Sequence, residues 1–464
     1  MKSFKFLRLF FASISVSLLF SGCKNNDVLP EDTPKESDTQ ESEDLTPTST
    51  VSTEIYDTVH TIEDKSCYHI TLNYTDNYFK YTASKFRKDL MKLSFGATMS
   101  ANELEPGTRF FNDIGFSQEY ATSYEISSFS ENSVHYIICK KTIDKFSLYS
   151  LVIKSTDYKQ EWANNFTLGE TGNHVGFDLS SSIIYKKLME ILSNKTNYKL
   201  WISGYSRGGA VANVLSSKLM KSEVMHFNED NLYTYTFACP KGLSLDNAIK
   251  YKNVFNLVNS ADMIQKFAPE EYGLYRCGQD IELYKENIDS LLPNFSNELV
   301  LPEFTINQYL YNNDIEYTSY LLKQILTENE SSYPKDKYPY DLCSRTNYFK
   351  IEKYLSYLLG TIIGSDYAVE LLTETFTNLN QSEIVSLVND DGSKIFNILI
   401  NIFSKAEISY ENDFLFETCS VITSILKRYS ALAILMYSNS NIIRMAYMHM
   451  SETTYLMLDY VDFK

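Results

Sequence analysis

The run LWISGYSRGGAVANVL, Leu200 to Leu215, sets Ser206 where a nucleophile could stand. An apolar stretch ends in Gly204, Ser206 lies between Tyr205 and Arg207, and Gly208 and Gly209 lead into an alanine-rich helical pattern. A serine that attacks a carbonyl has to stand clear of its own chain, on a sharp turn from a strand into a helix. Such a turn brings backbone so close that side chains two positions before and two after would collide. Gly204 and Gly208 remove both collisions. Gly209, Ala210 and Ala212 let the following helix approach the sheet, and the positive end of its dipole faces a developing oxyanion. The motif is common by chance and gains meaning from the strand before it and the helix after it; the alternative is a softened turn without chemistry.

A serine of this kind needs a base, and the base needs an acid to orient it. Asp262 comes after the apolar run VFNLV and is expected at the carboxyl end of a sheet, where open α/β folds build their sites. It also reads as a helix N-cap before Met263 and Ile264. Of the six histidines, His60 lies in a polar N-terminal stretch, His69 and His135 near early strands, His174 before the serine, and His226 between serine and acid. His449 alone comes after Asp262. Where the order along the chain is serine, acid, histidine, His449 is the expected base; a surface or core histidine is its alternative. His174 is the fallback, otherwise a satisfied polar residue near the sheet edge.

The elements that must position these residues alternate. SVHYIICKKTI and FSLYSLVIKST flank a polar DK, the pattern of a hairpin. Helix SSSIIYKKLMEILSN then precedes strand YKLWISG, helix GGAVANVLSSKLMK precedes strand LYTYTFACP, and a short helix near LDNAIKYK precedes VFNLVNSAD. Such alternation predicts an α/β fold with a mostly parallel sheet and helices on both faces. From residue 276 to 429 the pattern is amphipathic at helical period without strand signals, which predicts a large helical insertion or cap. An independent helical domain with its own partner is the alternative reading of that region. Residues 66–275 are expected to form the core, with 430–464 returning to it and carrying His449.

The first 23 residues combine a basic start (Lys2, Lys5, Arg8), an apolar stretch and small residues before Cys23, the pattern of an export signal. The ending FSGC resembles the lipobox of bacterial lipoproteins, which implies lipidation at Cys23 and anchoring outside the cytoplasmic membrane. Residues 24–65 are rich in Glu, Asp, Ser, Thr and Pro and are expected to form a disordered acidic tether. A net charge of −17 leaves no basic face to displace phosphate counterions, so no nucleic-acid partner is expected. The six cysteines after Cys23 lack any C-x-x-C pair and are expected to be mostly free, buried thiols without a metal.

GYSRGGAVA, then YTFACP, then VFNLVNSADMI, together with the upstream LVIKST, EWANNF and HVGF, resemble the class 3 (fungal-type) lipase family. The resemblance covers roughly Phe146 to Ala268. It implies an α/β-hydrolase fold, Ser206 as nucleophile, Asp262 as acid and His449 as base. Thr156 matches the family's first oxyanion donor, and the backbone N–H of Arg207 the second. Lys154 and Ser155 depart from the usual Arg-Gly, Tyr205 stands where histidine is frequent, and Cys239 where glycine is. The implied activity is hydrolysis of carboxylic esters, of lipids above all, through an acyl-enzyme that needs no cofactor or metal. The competing class is a non-catalytic surface lipoprotein that binds lipid or an envelope partner on a hydrolase scaffold.

Overall fold

A computed structural model describes residues 43–56, 67–124, 134–155, 159–259, 262, 264–266 and 270–283, and later 344–363, 390–405, 412–428, 449 and 451–458, with isolated positions between. Strands β1 (Ser49–Tyr56) and β2 (Cys67–Tyr74) form an antiparallel pair. Helices α1 (Lys88–Ser100) and α2 (Leu104–Asp113) come next. Among the described residues the main sheet has seven strands in chain order: β3 (Ser117–Ala121), β4 (Tyr136–Ile143), β5 (Phe146–Ile153), β6 (Tyr198–Tyr205), β7 (Leu232–Phe237), β8 (Val254–Val258) and β9 (Gln279–Glu282). β3 to β5 run antiparallel, and β5 to β9 are parallel. Parallel neighbours need crossovers. α3 (Lys159–Asn165) and α4 (Val175–Leu192) supply the first, and α5 (Arg207–Met220) the second.

The sheet is covered on both faces, and side-chain alternation along β6 shows how. Leu200 and Ile202 pack with Ile184 and Leu188 of α4 and Val211 and Leu215 of α5. Trp201 and Tyr205 point the other way, into a cluster with Phe95 of α1, Tyr233, Tyr235 and Phe237. Burial on both faces explains why β7 and β8 are buried at every position. The register also aligns strand ends: Ile153 pairs with Gly204, Tyr205 with Phe237, and Phe237 with Leu257. The turn leaving β6 and the turn leaving β8 therefore emerge at the same, carboxyl end of the parallel strands. The fold is α/β, a mostly parallel sheet between two layers of helices.

Two expected boundaries shift. The composition predicts an acidic tether as far as residue 65, but β1 lies within it and Glu43 forms a bidentate pair with Arg87, at 2.8 and 3.1 Å. STVSTEIY buries Val51, Thr53 and Ile55 and exposes Ser52, a period-two pattern hidden by its Ser/Thr-rich composition. The helical pattern predicts an insertion from residue 276, yet β9 joins the sheet beyond that point. The described helices of the later region are α6 (Arg345–Ile363), α7 (Ser393–Lys405), α8 (Asn412–Arg428) and α9 (Ser451–Leu458).

α6 is fastened to the core rather than laid over it. The Arg345 guanidinium donates to the carbonyls of Leu168 (2.8 Å), Gly169 (2.7 Å) and Gly172 (2.8 Å). Tyr348 donates to the Phe166 carbonyl at 2.6 Å, and Glu352 accepts from the Gly169 N–H at 2.7 Å. α9 returns to the α1 side of the sheet, where Met457 and Leu458 join the core.

Candidate active site

The turn between β6 and α5 has the backbone that its glycines predict. Ser206 sits at φ 53° and ψ −124°, a region that favours glycine and costs any other residue strain. The turn is held by the Ser206 N–H donating to the Phe237 carbonyl (2.9 Å) and the Ala210 N–H donating to the Ser206 carbonyl (3.0 Å). A Cβ on Gly204 would lie 2.3 Å from the Gly208 carbonyl oxygen, and one on Gly208 would lie 2.5 Å from that of Ile153 and 2.8 Å from that of Lys154. Those oxygens are backbone and cannot swing aside. Glycine at both positions is thus a steric requirement of this turn.

Three side chains meet at the carboxyl end of the parallel strands. The Ser206 hydroxyl lies 2.8 Å from His449 Nε2, and His449 Nδ1 lies 2.7 Å from Asp262 Oδ2. An ionised carboxylate can only accept, so Nδ1 carries the proton and donates to Asp262, which leaves Nε2 to accept from Ser206. Asp262 is fully buried, and its charge is met by donors rather than by water. Oδ1 accepts from the Ile264 N–H at 2.8 Å; Oδ2 accepts from Gln265 Nε2 at 2.9 Å besides His449. The N-cap alternative for Asp262 therefore does not compete with the expected acid role: the turn that it caps fixes its carboxylate.

The oxyanion side is partly described. Arg207 opens α5, and the first N–H groups of a helix lack acceptors within it. Its buried guanidinium turns away, donating to Ser180 Oγ at 2.8 Å and lying 3.5 Å from the Glu161 carboxylate. The close approach of Gly208 to Ile153 and Lys154 brings the end of β5 beside this turn. Thr156, the other expected donor, and Cys23 lie outside the described residues.

His174 is not the base. It caps α4: Nδ1 accepts from the Phe177 N–H at 3.4 Å, while Nε2 donates to the Asn165 carbonyl at 3.1 Å. Burial pushes its pKa down to about 3, so it stays neutral. Cys139, Cys239, Cys277 and Cys419 are free and buried. Burial raises the thiol pKa of Cys139, Cys239 and Cys419 to about 12, which removes them as nucleophiles.

Two residues around the site have no role assigned to them from sequence. Gln265 holds Asp262 with its amide N–H, accepts the Asn259 N–H at 3.1 Å, and is itself held through its backbone carbonyl by Arg276 at 3.1 Å. Its spacing of three from Asp262, on one turn of chain, is the one local hint. Tyr205 donates from its hydroxyl to the His449 carbonyl at 2.6 Å, and no local pattern announces a bond across 244 residues.

Residues 150–272 match the family model described as lipase (class 3). No curated protein matches. Similar solved structures include a fungal lipase in complex with an inhibitor, 17% identical over 42% of this chain and 81% of that one, TM-score 0.34. Lipase II from Rhizopus niveus is 14% identical over 42% and 80%, TM-score 0.32. The triacylglyceride lipase of Rhizomucor miehei is 16% identical over 44% and 83%, TM-score 0.32. Across the segment that carries both the Ser206 turn and Asp262, this chain is similar to class 3 lipases.

Proposed function

We propose that this protein is a serine hydrolase that cleaves carboxylic esters of lipids. The observation that carries the reading is the hydrogen-bonded series Ser206, His449, Asp262, assembled from residues up to 243 positions apart. His449 Nε2 takes the Ser206 proton as Oγ attacks the ester carbonyl, and the negative charge on the carbonyl oxygen rests against N–H groups at the start of α5. Collapse of the tetrahedral species releases the alcohol, which leaves with the proton held on Nε2. Water then attacks the acyl-enzyme, again giving up a proton to His449, and collapse of this second tetrahedral species frees the acid as Nε2 returns that proton to Ser206 Oγ. Asp262 keeps the imidazole in the tautomer that accepts and stabilises the imidazolium. The similarity of residues 150–272 to class 3 lipases supports lipid esters as the substrate class.

A fluorophosphonate probe tests the reading. Wild-type protein should take the label and hydrolyse p-nitrophenyl esters; Ser206→Ala and His449→Ala should do neither, with kcat falling about 10⁴-fold or more. A folded wild type without label or turnover refutes it. We further propose that the protein is exported and lipid-anchored through Cys23 at the outer face of the membrane. Among the described residues no helix is long and apolar enough to cross a bilayer. Incorporation of labelled palmitate that persists in Cys23→Ala would refute that assignment.

A further inference from the structure

We infer that Tyr205 is a positioning residue for His449, an inference that rests on the hydrolase reading above. Tyr205 ends β6 and immediately precedes Ser206, so one strand end controls both the nucleophile and the phenol beside it. The phenol hydroxyl donates to the His449 carbonyl at 2.6 Å and lies 3.2 Å from Thr454 Oγ1, which is placed to donate to it. Both residues are buried, and Thr454 belongs to α9, the helix just after His449. The ring is set by Phe95, whose centroid is 6.1 Å away at 72°, and Phe95 in turn stacks on Tyr455 of α9. The ring of Tyr205 also lies 5.7 Å from the imidazole itself.

The base reaches Ser206 from far along the chain, so its backbone has to be fixed by contacts made in the folded state. Its side chain is held by Asp262, but a side chain held at Nδ1 can still pivot about that bond. A bond from the neighbour of the nucleophile to the backbone of the base closes a ring: Ser206 to Tyr205 through the chain, Tyr205 to the His449 carbonyl, and His449 Nε2 back to Ser206 Oγ. That ring sets the Nε2 to Oγ separation from both ends. Catalytic groups need placement within about 0.5 Å, and a displacement near 1 Å costs on the order of 100-fold in rate.

The test uses the full protein with p-nitrophenyl butyrate and a fluorophosphonate. Tyr205→Phe keeps the ring and removes the hydroxyl; kcat and the rate of phosphonylation should both fall about 10- to 100-fold while KM stays within about twofold. Thr454→Val should lower both rates less, in the same direction. The double variant should equal Tyr205→Phe, because Thr454 acts through the phenol hydroxyl. A Tyr205→Phe protein with wild-type kcat and labelling overturns the inference, as does a loss confined to KM or two effects that add. If Tyr205→Phe does not fold, Thr454→Val decides: unchanged rates overturn the inference. A wild type that is neither labelled nor active overturns the hydrolase reading itself, an outcome distinct from a labelled wild type with an indifferent variant.

Discussion

Replacing Ser206 by glycine should make the protein more stable than replacing it by alanine. Both variants lose the hydroxyl and both leave His449 Nε2 without its donor, so those effects cancel in the comparison. The remaining difference is the backbone at φ 53° and ψ −124°, which alanine must hold against its own Cβ and glycine adopts freely. Strain of this kind costs about 1–3 kcal/mol, and the greater freedom of an unfolded glycine offsets about 0.4–1 kcal/mol of the gain. The difference should be about 1–2 kcal/mol, equivalent to a Tm higher by roughly 1–4 °C for the glycine variant, because the unfolding entropy grows with the size of the folded chain. Thermal unfolding followed by circular dichroism, with the two variants at the same pH and concentration, measures it. Equal Tm values, or a less stable glycine variant, would refute the claim that this turn stores strain.

Asp262→Asn should lower kcat about 10⁴-fold with the fold retained, since its side-chain oxygen can still accept from Ile264 while the imidazole loses its tautomer; kinetics and a thermal melt check both halves. Gly208→Ala should destabilise the protein by about 3 kcal/mol or more, because the new methyl meets two backbone oxygens at 2.5 and 2.8 Å, and denaturant titration reads the loss. His174 gives a pH dependence: its pKa falls from 6.5 to about 3 on folding, so between those values the unfolded chain binds more protons. Its contribution is complete above 6.5 and declines as pH drops towards 3, by about 1.4 kcal/mol per unit. His174→Asn, which can still cap α4, should flatten the stability profile over that range by one proton's worth; an unchanged slope between pH 4 and 6 would refute the assignment.

The parts of this protein that announce themselves in sequence are those whose physics is local. Gly204 and Gly208 flank Ser206 because the turn forbids a Cβ, and that rule needs no knowledge of the rest of the chain. Asp262 and His449 stand out by order alone, the histidine because no other comes after the acid. The sheet is equally legible, since strands buried on both faces are continuous apolar runs and the helices between them carry a stripe. The hidden parts depend on distant partners. β1 looks like solvated chain until β2 and α1 give its alternate residues something to bury against. β9, with the sequence QDIE, has little apolar content, and its pairing with β8 makes it a strand. Tyr205 acts through a hydrogen bond to a backbone carbonyl 244 residues away, and Gln265 holds Asp262 only because Asn259 and Arg276 fix it in the folded chain.

The arrival of His449 so late in the chain has a consequence for what an unfinished or truncated product can do. Every residue of the Ser206 turn and the whole of the acid turn is synthesised first, and the base comes 187 positions after Asp262. At about 5–20 residues per second that interval lasts roughly 10–40 s. A chain that stops within that interval carries the serine and the acid but lacks the base proposed to deprotonate the serine. Under the proposed hydrolase reading, a product cut before α9 would therefore be unable to transfer an acyl chain, however well its sheet had folded.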